Sequence, residues 1–232
     1  MSKKIFTLIL ITTLTALLLA ACGSSQPSAP AVPAGTSSNA VATTAPAAAV
    51  DADTDGDGIP DSAEALLGTD PNNADSDGDG QNDLADKEPM LAANPIQESS
   101  ATVGFTIGGF IVENNVDADG ADVADHMEFK VTNPGAADFS GFDIYYTITD
   151  QTTGVVQGYY RTLPDLTVKA GEIQTIHFDN SGQPDHFSVN PNNAFYTDVN
   201  GLTLEVTLHA TGFAPQTASV AKDPGGAEGG GE

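Results

Sequence analysis

The chain has 232 residues, 32 acidic against 7 basic, a formal charge of −25, one cysteine and no tryptophan. A chain this acidic repels nucleic acid and anionic lipid headgroups, so polyanions are excluded as partners. Glycine and proline together supply 38 residues, which argues against one packed core over the whole length and for one or two domains with linkers.

In chain order, the first element is an export signal. Lys3 and Lys4 precede an uncharged apolar stretch from Ile5 to Ala20, shorter than the roughly 20 residues a membrane span needs. It ends in Leu19-Ala20-Ala21-Cys22. This string resembles the bacterial lipobox: an apolar residue, two small residues and a cysteine. The resemblance implies cleavage after residue 21, acylation of Cys22 and anchorage in a lipid bilayer at the cell envelope, facing the exterior or the periplasm. Acylation would use the one cysteine, leaving no disulfide, thiolate metal site or cysteine nucleophile. Multiple acyl chains anchor stably where a single one does not. The mature chain would keep five basic residues against 32 acidic ones, a charge of −27.

Residues 22–50 follow as a tether of Ala, Pro, Ser and Thr with no charge and no aromatic residue. Such a segment cannot bury a core and is expected to be disordered. As a flexible coil it would reach roughly 30 Å.

The composition then changes. Between Asp51 and Glu88 there are thirteen acidic residues and one basic residue, Lys87. Asp53, Asp55, Asp57, Asp61 and Glu64 recur 22 residues later as Asp75, Asp77, Asp79, Asp83 and Asp86, an internal repeat and hence a repeated structural unit. The spacing fits calcium, a hard cation that takes six to eight oxygens. Loop positions 1, 3 and 5 supply carboxylates from Asp53, Asp55 and Asp57, and from Asp75, Asp77 and Asp79. Position 6 turns sharply at Gly58 and Gly80. Position 7 gives a backbone carbonyl from Ile59 or Gln81. Asp61 and Asp83 act at position 9, directly or through water. At position 12 Glu64 can bind through both oxygens, whereas Asp86 is a shorter arm, so the second loop fits the template less well. Asp70 is a possible extra donor. Two Ca2+ sites are expected.

A helix of only a turn or two fits between Ser62 and Leu67 before Gly68-Thr69-Asp70-Pro71. The string from Asp53 to Pro89 resembles thrombospondin type 3 repeats of the bacterial kind. The resemblance implies a helix-poor segment wrapped around calcium, acting as a rigid spacer between anchor and head. A dockerin-like module with a protein partner is the alternative; it needs a helix after each loop.

From about residue 100 to 221 the pattern is β. Met127, Phe129 and Val131 alternate with polar neighbours, as do Phe142 to Ile148 and Leu202 to Leu208. This is the period of half-buried antiparallel strands. Further strands are expected near 103–112, 155–161, 173–178 and 215–221, with turns at Asn133-Pro134-Gly135, Thr153-Gly154, Ala170-Gly171, Asn180-Ser181-Gly182 and Asn190-Pro191-Asn192. The fold class is therefore mainly β: seven or so strands in an immunoglobulin-like sandwich. Weak similarity to immunoglobulin-like modules of prokaryotic surface proteins points the same way. The tail, 222–232, is glycine and acid and is expected to be disordered.

The head shows no Gly-x-Ser-x-Gly, His-Glu-x-x-His or Gly-x-x-x-x-Gly-Lys-Ser/Thr string, and no enzymatic role is indicated. The four histidines (His126, His177, His186, His209) are scattered and read as solvated; a transition-metal site would need at least two of them adjacent across strands. Asn115, Asp117, Asp119, Gly120 and Asp122 hint at a third calcium loop, but the spacing after Gly120 departs from the template, and a hairpin tip is the simpler reading. Tyr145, Tyr159, Tyr160 and Tyr196 are candidates for a carbohydrate platform, with core packing as the default. Together these readings describe an exported, membrane-anchored calcium-binding protein, structural or adhesive. The partner would be an extracellular or periplasmic protein or glycan. A receptor for a small ligand or an accessory module of an extracellular enzyme complex is the alternative.

Overall fold

The computed structural model describes residues 51–112 and 126–225. Cys22, the tether, the Asn115–Asp122 segment and most of the tail lie outside the described residues.

The acidic segment comes first. It contains one short helix, α1 (Asp61–Leu67), which begins after extended Pro60 and ends at Gly68. Gly68 adopts φ 88°, and its N–H reaches the Glu64 carbonyl at 2.7 Å, a left-handed helix stop that glycine supplies without a Cβ penalty.

The remainder is β. The strands are β1 (Thr106–Ile111), β2 (Met127–Thr132), β3 (Phe139–Asp150), β4 (Val156–Val168), β5 (Ile173–Phe178), β6 (His186–Phe187), β7 (Leu202–Ala210) and β8 (Gln216–Lys222), with a one-turn helix, α2 (Ala194–Thr197), before β7. They form two four-stranded sheets, ordered β1-β2-β5-β6 and β4-β3-β7-β8. All pairings are antiparallel except β5 with β6. The chain changes sheet between β2 and β3, between β4 and β5, and between β6 and β7.

Period-two patterning explains the layering. Met127, Phe129 and Val131 on β2 and Ile176 and Phe178 on β5 turn inward, facing Phe142, Ile144, Tyr146 and Ile148 on β3 and Leu202, Leu204, Val206 and Leu208 on β7. Each such side chain contributes about 1.5–3 kcal/mol through burial. Aromatic contacts join the layers: Phe105 meets Phe142 edge-on at 5.2 Å, and Tyr146 meets Phe178 at 6.2 Å.

The turn after β2 is held by a buried amide. Asn133 is fully buried; its amide donates to the carbonyls of Ala137 and Val168, and its oxygen accepts from Gly135 N–H. That one side chain ties the Asn-Pro-Gly turn to the end of β4 and avoids the cost of an unpaired buried amide.

The tyrosines follow the default reading of packing and cross-strand contacts: Tyr159 is fully buried, Tyr145 donates to the Ala92 carbonyl, and Tyr160 donates to Asp143. One expectation needs correction: the histidines are not all solvated, since His126 is only 5% exposed.

Candidate metal centre

Each acidic repeat is built by the same local hydrogen bonds. Asp53 accepts from Gly56 N–H at 2.9 Å and Gly58 N–H at 3.2 Å; Asp75 accepts from Gly78 and Gly80 N–H, both at 2.9 Å. Asp55 accepts from Asp57 N–H and Asp57 from Ile59 N–H, and the next repeat copies this with Asp77, Asp79 and Gln81. Short aspartate side chains bonding backbone two residues on are what bend the chain into a loop. The bend also needs Gly56, Gly58, Gly78 and Gly80, all with φ between 78° and 102°.

The winding turns carboxylates inward. Ligand oxygens of Asp53, Asp55 and Asp57 lie within 4.8 Å of one another, as do those of Asp75, Asp77 and Asp79. A third group joins Asp57, Glu64 and Asp83, all buried, so the second repeat lends a carboxylate to the first. Glu64 is brought there by α1, where it is the buried residue.

Asp61 and Asp86 join none of these groups among the described residues. Asp61 accepts from the N–H and hydroxyl of Thr54, closing the first loop, and Asp83 does the same for Ser76. Asp86 accepts from Glu88 N–H, while its charge still bears on Asp77. The closing Thr54/Asp61 and Ser76/Asp83 pairs were not foreseen, although a hydroxyl after the first aspartate and an acid seven residues on are visible in both repeats. Asp70 accepts from Asn72 N–H and faces Arg161 at 4.0 Å.

The electrostatics of this arrangement are unfavourable without a cation. Burial, then Asp55, Asp57, Asp61 and Asp83, raises the Glu64 carboxyl to about 7. Burial first, then Asp79, Asp86 and Asp75, raises Asp77 to about 6, against its hydrogen bond from Asp79 N–H. One oxygen each of Asp55, Asp57, Glu64 and Asp77 is buried without a hydrogen-bond partner. Buried carboxylate oxygens without donors are costly. A hard divalent cation satisfies both the charge and the lone pairs, so these residues fit calcium.

The segment does not stand apart from the sandwich. Tyr160 N–H donates to the Asp77 carbonyl at 2.7 Å. Gly158 N–H donates to Met90 O, and Ala92 N–H donates to Gly158 O, both at 2.9 Å. Asn190 and Asn192 donate their side-chain amides to the carbonyls of Gly68 and Thr69. The expected spacer is therefore laid along the free edge of β4. The approach is close: a Cβ on Gly78 would stand 2.0 Å from the Tyr160 carbonyl oxygen.

Comparison with known proteins places the two parts differently. No curated protein matches. Among solved structures, a cycloisomaltooligosaccharide glucanotransferase from Paenibacillus sp. is similar at 16% identity and TM-score 0.30, covering 54% of this chain and 14% of that one. A Bacteroides uniformis beta-glucuronidase is similar at 15% identity and TM-score 0.28, covering 52% and 13%. The sporulation control protein Spo0M of Bacillus subtilis is similar at 13% identity and TM-score 0.27, covering 51% and 48%. This chain spans less than half the length of each, and likeness at this level carries no argument about function. The acidic segment is more specific: residues 53–74 match the bacterial TSP3 repeat, a calcium-binding structural module.

Proposed function

We propose that the protein is an exported, non-enzymatic calcium-binding module. In this reading Cys22 is acylated and anchors the chain to a membrane, and residues 53–86 hold two calcium ions that fix the acidic segment against a β-sandwich head. The head is immunoglobulin-like and serves a structural or adhesive role toward a protein or glycan outside the cytoplasm. The sheet order, with β2 and β5 adjacent in one layer and β3 and β7 adjacent in the other, supports an immunoglobulin-like assignment. The first ion would take Asp53, Asp55, Asp57, the Ile59 carbonyl and Glu64, with Asp83 reaching in from the second repeat. The second would take Asp75, Asp77, Asp79 and the Gln81 carbonyl.

One observation carries this reading: four buried carboxylate oxygens, on Asp55, Asp57, Glu64 and Asp77, have no donor in the protein. The dockerin-like alternative is disfavoured, because after Asp86 the chain turns and bridges to Gly158 at Leu91 without forming a second helix.

Calorimetric titration of calcium into the chelator-stripped chain tests it. We expect two saturable sites with dissociation constants on the order of 10⁻⁴ to 10⁻³ M, as in extracellular modules, both lost in an Asp53→Ala/Asp75→Ala double variant. Absence of binding heat, with a melting curve unchanged by calcium, would reduce residues 51–88 to an acidic surface strip.

A further inference from the structure

A second cluster of potential ligands lies away from the calcium loops. On β2 and β5 the inward residues are Met127, Phe129, Ile176 and Phe178, so His126, Glu128, His177 and Asp179 share the outer face of that sheet. The antiparallel register sets Glu128 opposite His177 and Met127 opposite Phe178, which brings His126 alongside Asp179. The parallel pairing of β6 then sets His186 beside His177. Three of the four histidines in the chain thus converge through strand register, from positions up to 60 residues apart.

The geometry is tight. The rings of His126 and His177 are 5.2 Å apart, and those of His177 and His186 are 4.4 Å apart. Ligand atoms of His126, His177 and Asp179 all lie within 4.8 Å of one another. Glu128 Oε2 stands 3.6 Å from His177 Nε2 and 3.9 Å from His126 Nε2. His186 Nδ1 lies 2.8 Å from Asp179 Oδ2, and Ser181 N–H donates to Asp179 Oδ1 at 2.9 Å, so the carboxylate is held in place.

We propose that His126, His177 and Asp179 bind a divalent first-row transition metal on the outer face of the first sheet, with Glu128 beside the two rings adding negative charge and His186 positioning Asp179. Three observations support the assignment. His126 is buried although it lies on an outward face. His177 Nδ1 is buried with no hydrogen-bond partner, leaving a ring nitrogen unused. Charge also balances: the two carboxylates, Glu128 and Asp179, are offset by one divalent ion. Imidazole donors select zinc, copper, nickel or cobalt over calcium and magnesium, which take oxygen. A tetrahedral zinc needs donors about 3.3 Å apart, a contraction within reach of side-chain rotation. A carboxylate hydrogen-bonded to a histidine outside the coordination sphere is a usual way to orient a ligand.

The test uses the full chain, chelator-stripped and held in about 10 mM calcium so that the oxygen loops are saturated. Zinc is then titrated in competition with a chromophoric chelator. We expect one zinc per chain, lost in His126→Gln and in His177→Gln and unchanged in His209→Gln, which lies on the other sheet against Asp143. His186→Gln should weaken binding about 10- to 100-fold, as expected for an orienting residue. Failure of the wild-type chain to take zinc, or zinc uptake unaffected by the His126 and His177 substitutions, overturns the proposal. Zinc uptake lost only in Asp53→Ala/Asp75→Ala overturns it too, placing the ion in the calcium loops. Should either histidine variant not fold, cobalt loaded into the wild-type chain decides. Imidazole resonances of His126 and His177 must shift while those of His209 stay, and the absence of that pattern counts against the site.

Discussion

At the scale of single residues, the two glycines of the second repeat differ in what surrounds them. Gly78 and Gly80 both have φ above 80°, so any side chain at either position costs about 1–2 kcal/mol in backbone strain. Only Gly78 abuts the Tyr160 carbonyl; nothing lies within 4 Å of a Cβ on Gly80. Gly78→Ala should therefore destabilise the calcium-loaded protein by about 2–4 kcal/mol, and Gly80→Ala by the strain alone. Paired thermal melts in millimolar calcium check this, and equal losses would mean that the close approach carries no weight. Glu64 supplies a pH dependence. Its folded pKa of about 7 lies above the ordinary value of 4.5, so between these values the calcium-free folded state binds more protons than the unfolded one. Its stability accordingly falls as pH rises from about 4.5 through 7. Calcium must displace the same proton, so its affinity should weaken as pH falls from 8 to 6, with release of up to about one proton per chain. Calorimetry in buffers of different ionisation enthalpy measures that release; an enthalpy independent of buffer at pH 6.5 would contradict it. The alternating aspartates were legible from sequence because their loop is closed by neighbours two to five residues away. The entry of Asp83 into the Glu64 group, and the meeting of three histidines, were not: each depends on which loop or strand becomes a neighbour.

At the scale of elements, strands with clean alternation were legible almost to the residue. Met127–Thr132, Phe139–Asp150 and Leu202–Ala210 contain the runs where one face is wholly apolar. The second half of β4 was not anticipated. Its burial alternates only in part, Pro164 interrupts the pattern, and the β3 pairing shifts register between Ser140 and Phe142. The two-residue β6 carries no periodic signal at all and exists because β5 offers it an edge. Helix α1 matches the short helix read between Ser62 and Leu67, and its worth lies in placing Glu64, since Leu66 and Leu67 are exposed. The acidic segment contributes little to the apolar core: Ile59 and Ala92 are its main buried hydrophobics, and neither belongs to the core cluster. Removing calcium should therefore loosen residues 53–89 while leaving the strands folded. Limited proteolysis with and without chelator should show new cleavage in that segment only. Identical digestion patterns would show that hydrogen bonds to β4 hold it without the ion.

At the scale of the molecule, composition and periodicity led correctly to a mainly β chain. How strands were shared between the sheets was beyond a linear reading, because it follows from long-range pairing. The docking of the acidic segment was equally hidden: along β4 it runs through backbone groups of Asp77, Gly158 and Tyr160, and the Asn190 and Asn192 amides that add to it come from far along the chain. That docking bears on solubility. β4 is the outer strand of its sheet, and an outer strand with unpaired amides is a template for pairing with another chain. Gly158 and Tyr160 spend their outward amides on Met90 and Asp77, so the acidic segment covers this edge. If calcium holds that cover in place, its withdrawal bares a strand as well as loosening a loop, and places where calcium runs low become places where copies of this chain meet edge to edge.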